Sequence, residues 1–118
     1  MTYMIAFWAV FVVDNVRGMH IIICMRYRNF EWDEVKDEIN RKKHDVSFRD
    51  AAAAFLDENR LIAADIKHSI DTEERWFCFG KTKQGVLTVR FTYRDGRIRI
   101  FGAGYWREGI KKYERRIK

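Results

Sequence analysis

The residues with the clearest chemical meaning are Arg90, Thr92, Arg94, Arg97 and Arg99, which flank Asp95-Gly96. Asp-Gly between two apolar-alternating runs is a strong signal for a two-residue hairpin loop. Such a loop pairs Arg94 with Arg97, Thr92 with Arg99 and Arg90 with Phe101. Opposed residues share a face of the sheet, and alternate pairs face the same way. The four arginines therefore gather on one side. Leu87, Val89, Phe91, Tyr93, Ile98 and Ile100 populate the other, which is the expected core face. Like charges held this close cost a few tenths of a kcal/mol or more per opposed pair. Such a face is poor for stability and well suited to a polyanion, or else it finds acidic partners elsewhere in the chain.

A second group lies earlier. Lys36, Asn40, Lys43 and His44 stand at i, i+4, i+7 and i+8, one stripe of a helix. Trp32, Val35 and Ile39 are expected to supply that helix's apolar side. His44 sits among cations, and imidazole is the usual proton-transfer group near neutral pH. A histidine at a helix C-terminus is also favoured by the dipole alone. Glu74-Arg75 leads into a strand, where the two side chains are either held for chemistry or simply paired. Tyr105 and Trp106 are able to stack on bases, at about 1–3 kcal/mol per base in single-strand binders, or to anchor the last helix. That helix carries a basic face that includes Lys111 and Lys112.

The stretch from Phe30-Glu31-Trp32-Asp33 through Lys36, Asn40, Lys43-His44 to Val46-Ser47-Phe48 resembles the opening of the BrnT family of toxins. Glu74-Arg75, Gly80, Gly85 and Arg97-Ile98-Arg99-Ile100 continue the likeness, which covers about residues 28 to 116. Two departures stand out. Asp45 takes a place where the family commonly has Gly, and Gly104 takes the place of an Arg, with Arg107 offered three residues later. The resemblance implies a RelE-like fold and a metal-independent endoribonuclease that cuts mRNA in the cytoplasm and inhibits translation, with no cofactor. It also implies a BrnA-like antitoxin in a hetero-oligomer, with operator DNA contacted only through the antitoxin. On this reading His44, Glu74, Arg75, Arg99 and Arg107 are the catalytic candidates. Lys36, Lys43, Arg90, Arg94, Arg97, Tyr105, Trp106, Lys111 and Lys112 are the candidates for RNA contact. The alternative is a non-catalytic basic module that binds nucleic acid or another protein.

The elements that must position these groups read as follows. Arg26 to Trp32 is a short strand. Asp33 is an N-cap for a helix over Glu34 to His44, with its cations gathered at the C-terminal end. Ser47 opens a second helix, whose Phe48, Ala51, Ala52, Phe55 and Leu56 form one buried stripe. Leu61 to Ile66, Arg75 to Gly80, Val86 to Arg94 and Arg97 to Gly102 are strands, and Trp106 to Arg116 is helical. Together these give an α+β domain, with two N-terminal helices packed on an antiparallel sheet and a C-terminal helix.

The chain's 118 residues suffice for one domain. Its net charge of +6 is concentrated after residue 89, where ten Lys or Arg face three carboxylates. A basic end of this kind is the footprint of a phosphate-rich partner. Cys24 and Cys78 form no disulfide framework, and His20, His44 and His68 lie too far apart for a metal motif. The apolar run Met4 to Val13 is too short to span a bilayer and lacks the marks of a signal peptide. Tyr3 to Val13 reads as a strand with Asp14 to Gly18 turning into a second strand, or as an association-prone edge, or else the segment is a leader preceding a start at Met25. The last is the preferred division, with residues 1–24 an extension and 25–118 the domain. A membrane anchor is the least favoured reading.

Overall fold

The structure, a computed structural model, describes residues 2–5, 29–70 and 73–117. Six strands form one sheet in the order β1-β2-β6-β5-β4-β3. They are β1 (Thr2–Ile5), β2 (Asn29–Trp32), β3 (Leu61–Ala64), β4 (Trp76–Thr82), β5 (Gly85–Arg94) and β6 (Arg97–Gly104). The helices are α1 (Glu34–His44), α2 (Phe48–Ala51), which runs on as a 3-10 turn over Ala52–Leu56, and α3 (Arg107–Ile117). The α+β class is as expected, but the sheet is mixed. β2 lies parallel to β6, with Phe30 beside Ile98 and Glu31 beside Arg99. α1, α2, β3, β4 and β5 intervene between β2 and β6, and this long connection is what a parallel neighbour requires. The expected turn at Asp14 to Gly18, the start at Met25 and the strand's first residues Arg26 to Arg28 lie outside the described residues. Thr2–Ile5, which takes in the first two residues of the apolar run, pairs antiparallel with β2, and the rest of that run lies outside the described residues.

Local signals explain the helices. The Asp33 carboxylate accepts from the Val35 amide at 2.8 Å, which fixes the first turn of α1. The Ser47 hydroxyl accepts from the Asp50 amide at 3.0 Å and opens α2. At the other end of α1, Asp45 adopts φ 57° and its amide donates to the Arg41 carbonyl. This left-handed cap is the conformation that makes glycine the common residue here.

The sheet is covered on both faces. On one, Phe30, Trp32, Cys78, Leu87, Val89, Phe91, Ile98, Ile100 and Ala103 meet Phe48, Ala51, Ala52 and Phe55 of α2 and its 3-10 extension. The rings of Phe55 and Phe91 meet edge to face at 5.0 Å. Burial in this layer pushes the Cys78 thiol far above its ordinary ionisation range. On the other face α3 lays Tyr113 and Ile110 over Phe77, Phe79 and Val86. A Cβ at Gly109 would collide with the Thr88 hydroxyl, so glycine permits this close approach. The Tyr113 hydroxyl donates to Asp57, whose carboxylate also accepts from the Lys81 and Asn59 amides. One carboxylate thus ties α3 to β4 and to the turn before β3.

Three expectations are corrected. Tyr93 is not core: it stands 38% exposed at the hairpin end, beyond the helical cover. The third strand stops at Ala64, and Ile66 falls in a short 3-10 turn, fully outside the core. Phe101 is not opposite Arg90. The turn sets Arg94 against Arg97 and Thr92 against Arg99 as expected, but a bulge then places Arg90 against Gly102, with Phe101 as the extra residue.

Two stability predictions follow from this packing. Asp45→Gly relieves the left-handed strain at the α1 cap and should raise unfolding free energy by about 0.5–1 kcal/mol in urea titrations. Burial and the Asp57 contact push the Tyr113 phenol from 10.0 to about 12. The unfolded chain therefore ionises first, so the stability from this group is whole below about pH 10 and is lost as pH rises toward 12. Tyr113→Phe should be less stable at neutral pH and show a shallower alkaline decline in melting temperature than the wild type.

Candidate nucleic-acid interface

α1 is held inward by its polar residues. Asp37 and Asn40 are its buried side chains, whereas Val35 and Ile39 are 64% and 47% exposed. This reverses the apolar orientation expected from the sequence. The Asp37 carboxylate accepts from the Phe48 amide at 2.8 Å and so caps α2. Asn40 is bound at both ends of its amide. Its Nδ2 donates to the carbonyls of Val46 and Ala103, each at 2.9 Å, and its Oδ1 accepts from the Ala103 amide at 3.1 Å. The side chain thereby continues the hydrogen bonding of β6 beyond the part paired with β2. The helix is pinned across the edge of the sheet, next to the bulge.

A cleft of about 190 Å³ opens at this junction, lined by Lys36, Ile39, Asn40, Lys43, His44, Arg90, Phe101, Gly102 and Trp106. Each wall has a local cause. Lys36, Lys43 and His44 come from the α1 stripe, Arg90 from β5, and Phe101 from the bulge, where it has no cross-strand partner. Trp106 lies over Gly104, where a Cβ would come within 2.7 Å of the indole. The space beside Gly104 is thus taken by the indole. His44 meets Trp106 edge to face at 5.1 Å. The Arg75 guanidinium sits 4.7 Å from the Phe101 ring centre and the Lys36 ammonium 5.8 Å. Two cations thus share one ring, a favourable electrostatic arrangement for each. Among the described residues no carboxylate lines the cleft. The groups on offer are an imidazole, ammoniums and guanidiniums beside aromatic faces, suited to a phosphate and its attached base.

The other expected site residues are dispersed. Arg75 reaches Phe101 but is also paired with Glu73 at 3.2 Å, and Arg94 shares that carboxylate at 3.2 Å. The acidic partner of Arg75 is therefore Glu73, not Glu74. Glu74 is exposed in a separate hollow of about 410 Å³, with Glu73, Trp76, Tyr93 and Arg94. It does not meet His44. Arg99 is largely covered and stands 3.9 Å from the buried Glu31 carboxylate. Arg97 is half-buried on the same face, away from the cleft lining. The arginine face thus has acidic partners, and Arg90 is its member that lines the cleft. Tyr105 bonds Thr82 through its hydroxyl at 2.8 Å, an anchoring role. Arg107 is exposed at the start of α3, and Lys111 and Lys112 are exposed along it, with Lys112 over Phe79.

Sequence reasoning missed three features. Phe101 and Ile39 line the cleft, but no local signal marks a bulge or an outward apolar residue. His68, read as part of a loop, is held by the buried Asp65 carboxylate at 2.9 Å, with its ring half exposed. The spacing Asp65, His68 was the available signal for that pair.

Asn40→Leu would keep the volume but leave the Ala103 and Val46 backbone groups without partners. It should lower unfolding free energy by about 2–4 kcal/mol and speed hydrogen exchange at the Ala103 amide.

A search of curated proteins found no match. A family model does match, over residues 32–109, and its description is the ribonuclease toxin, BrnT, of type II toxin–antitoxin systems. The matched segment runs from Trp32 at the end of β2 to Gly109 in α3 and so includes every residue that lines the cleft. With well over half of its length matched, the chain belongs to the BrnT family of ribonuclease toxins.

Proposed function

We propose that the chain is a metal-independent endoribonuclease that cuts mRNA in the cytoplasm and so inhibits translation, and that its RNA site is the cleft between α1 and the β5–β6 bulge. The observation that supports this most is the gathering of Lys36, Lys43, His44 and Arg90 in one hollow with Phe101 and Trp106. Cleavage of this kind uses the substrate's own 2′-hydroxyl. That oxygen attacks the adjacent phosphorus, the bond to the 5′-oxygen breaks, and a cyclic phosphate and a 5′-hydroxyl result. In this reading neutral His44 takes the 2′-hydroxyl proton, and water or a lysine ammonium protonates the leaving oxygen. Arg90, Lys36 and Arg75 stabilise the added negative charge on the phosphorane-like state. Trp106 and Phe101 hold the flanking base by stacking. Glu74, Arg97, Arg99 and Arg107 take no direct part. Lys111 and Lys112 lengthen the basic track for the strand.

A RelE-like architecture fits the two helices before the meander of strands. The partner in this proposal is a BrnA-like antitoxin that forms a hetero-oligomer with the chain and supplies the contacts to operator DNA.

The purified chain should cleave a single-stranded RNA oligonucleotide in the presence of EDTA. His44→Ala and Arg90→Gln should each slow cleavage by about 10²-fold or more without moving the melting temperature. Expression alone should arrest growth of a bacterial host, and co-expression with the product of the adjoining gene should relieve it. Tight binding of the oligonucleotide without any cleavage would instead point to a non-catalytic module. Dependence on an added divalent cation would sink the metal-independent mechanism.

A further inference from the structure

Among helices of the described fold α1 is unusual in what it shows to solvent. An 11-residue helix ordinarily turns its apolar stripe inward. Here Asp37 and Asn40 point in, and Val35 and Ile39, one turn apart, point out at 64% and 47% exposure. Lys43 continues the same stripe a further turn along. Single exposed apolar residues need no explanation. Two on one helix face, at the rim of a cationic cleft, form a patch with a character of its own.

Its charge is also one-sided. On α1, Asp37 is paired with Arg41 at 3.6 Å and Glu38 with Lys42 at 3.3 Å, which leaves Lys36 and Lys43 without a carboxylate partner among the described residues. His44, at the end of α1, and Arg90 across the cleft likewise have no carboxylate partner among the described residues. RNA satisfies such cations but gains little from the Val35 and Ile39 side chains. A protein segment with large apolar side chains beside carboxylates satisfies both, in the usual pattern of a central apolar anchor within a charged rim. Ile66 and Ile70 are exposed too, but they line neither cleft nor hollow.

We propose that the Val35–Ile39–Lys43 stripe of α1 is where the antitoxin docks, through an acidic segment with apolar anchors, and that docking there closes the RNA cleft. Inhibition is then steric: Ile39 belongs to both the patch and the cleft lining, so a segment seated on the patch lies across the cleft mouth. The steric part rests on the cleft being the RNA site. The docking part does not.

The test uses the full chain and the purified protein encoded by the adjoining gene, titrated calorimetrically. Val35 is exposed and outside the cleft, so Val35→Asp should keep its melting temperature and its RNA cleavage. It should bind the partner at least ten-fold more weakly and escape neutralisation in growth assays. Ile39→Asp should weaken binding further. Unchanged partner affinity in Val35→Asp, or no binding by the wild type, overturns the docking site. So does a concentration-dependent dimer of the chain that Val35→Asp abolishes, which would assign the patch to self-association. Loss of RNA affinity in Val35→Asp would assign it to RNA and overturn the proposal equally. A wild-type chain that binds the partner through Val35 yet never cleaves RNA would refute the function proposed above while leaving the docking site standing.

Discussion

The amide of Asn40 is the contact on which the rest of the site depends. A strand edge carries alternating donors and acceptors, and few side chains reproduce a peptide group's geometry well enough to satisfy both at one residue. Asparagine does, and here it bonds the amide and the carbonyl of Ala103 together, with a third bond to Val46. Each such bond contributes only about 0.5–1.5 kcal/mol net, but a buried backbone group left without a partner costs about 1–3 kcal/mol. The arrangement is therefore a constraint more than a source of stability. It sets the rotation of α1 about its own axis. With Asp37 fixed on the Phe48 amide as well, only one face of the helix can turn inward, and the apolar Val35 and Ile39 must turn out.

The cleft then arises from two irregularities placed side by side. α1 brings its cations to the edge of β6 at the point where the bulge leaves Phe101 without a cross-strand partner. A regular ladder would have set Phe101 opposite Arg90. Gly102 in register with Arg90 removes a side chain from the cleft wall, and Gly104 makes room for the Trp106 indole that forms part of that wall. Electrostatics separates this cleft from the rest of the arginine face. Arg75 and Arg94 share Glu73, and Arg99 stands beside Glu31, whereas Arg90, Lys36 and Lys43 have no ion-pair partner among the described residues. Uncompensated cations repel one another, so their persistence on rigid elements favours an anion that arrives from outside.

How far the sequence could be read follows from which of these features are local. Asp33 and the run of cations at the far end delimited α1, and Asp95-Gly96 located the hairpin, because capping and left-handed turns are decided within a few residues. Asp95 and Gly96 do take the positive φ values, 52° and 74°, that such a loop requires. The family likeness was legible too, since its opening motif runs unbroken from β2 through α1 to the start of α2. The parallel pairing of β2 with β6 was not legible, because it depends on the packing of segments some seventy residues apart. The bulge was invisible for a related reason. Register was projected from the turn by strict alternation, and one extra residue shifts every partner beyond it. Periodicity misled most at Val35 and Ile39, since a helical stripe of apolar residues is read as the buried one. In α1 the buried stripe is the polar one, and only the partners of Asn40 and Asp37 reveal why.

That reversal links stability to function. A helix held by apolar contacts would have hidden Val35 and Ile39 and presented its polar side to the solvent. Held instead by an amide and a carboxylate, α1 keeps its apolar residues free and sets its basic ones along the cleft. Both sets belong to one rigid element fixed at two points, so their relative positions do not vary with side-chain motion elsewhere. In the docking proposed above, a partner that recognises the outward stripe needs no contact with the reacting groups to block them. The buried amide that shapes the cleft would then also set the distance from which the cleft is closed.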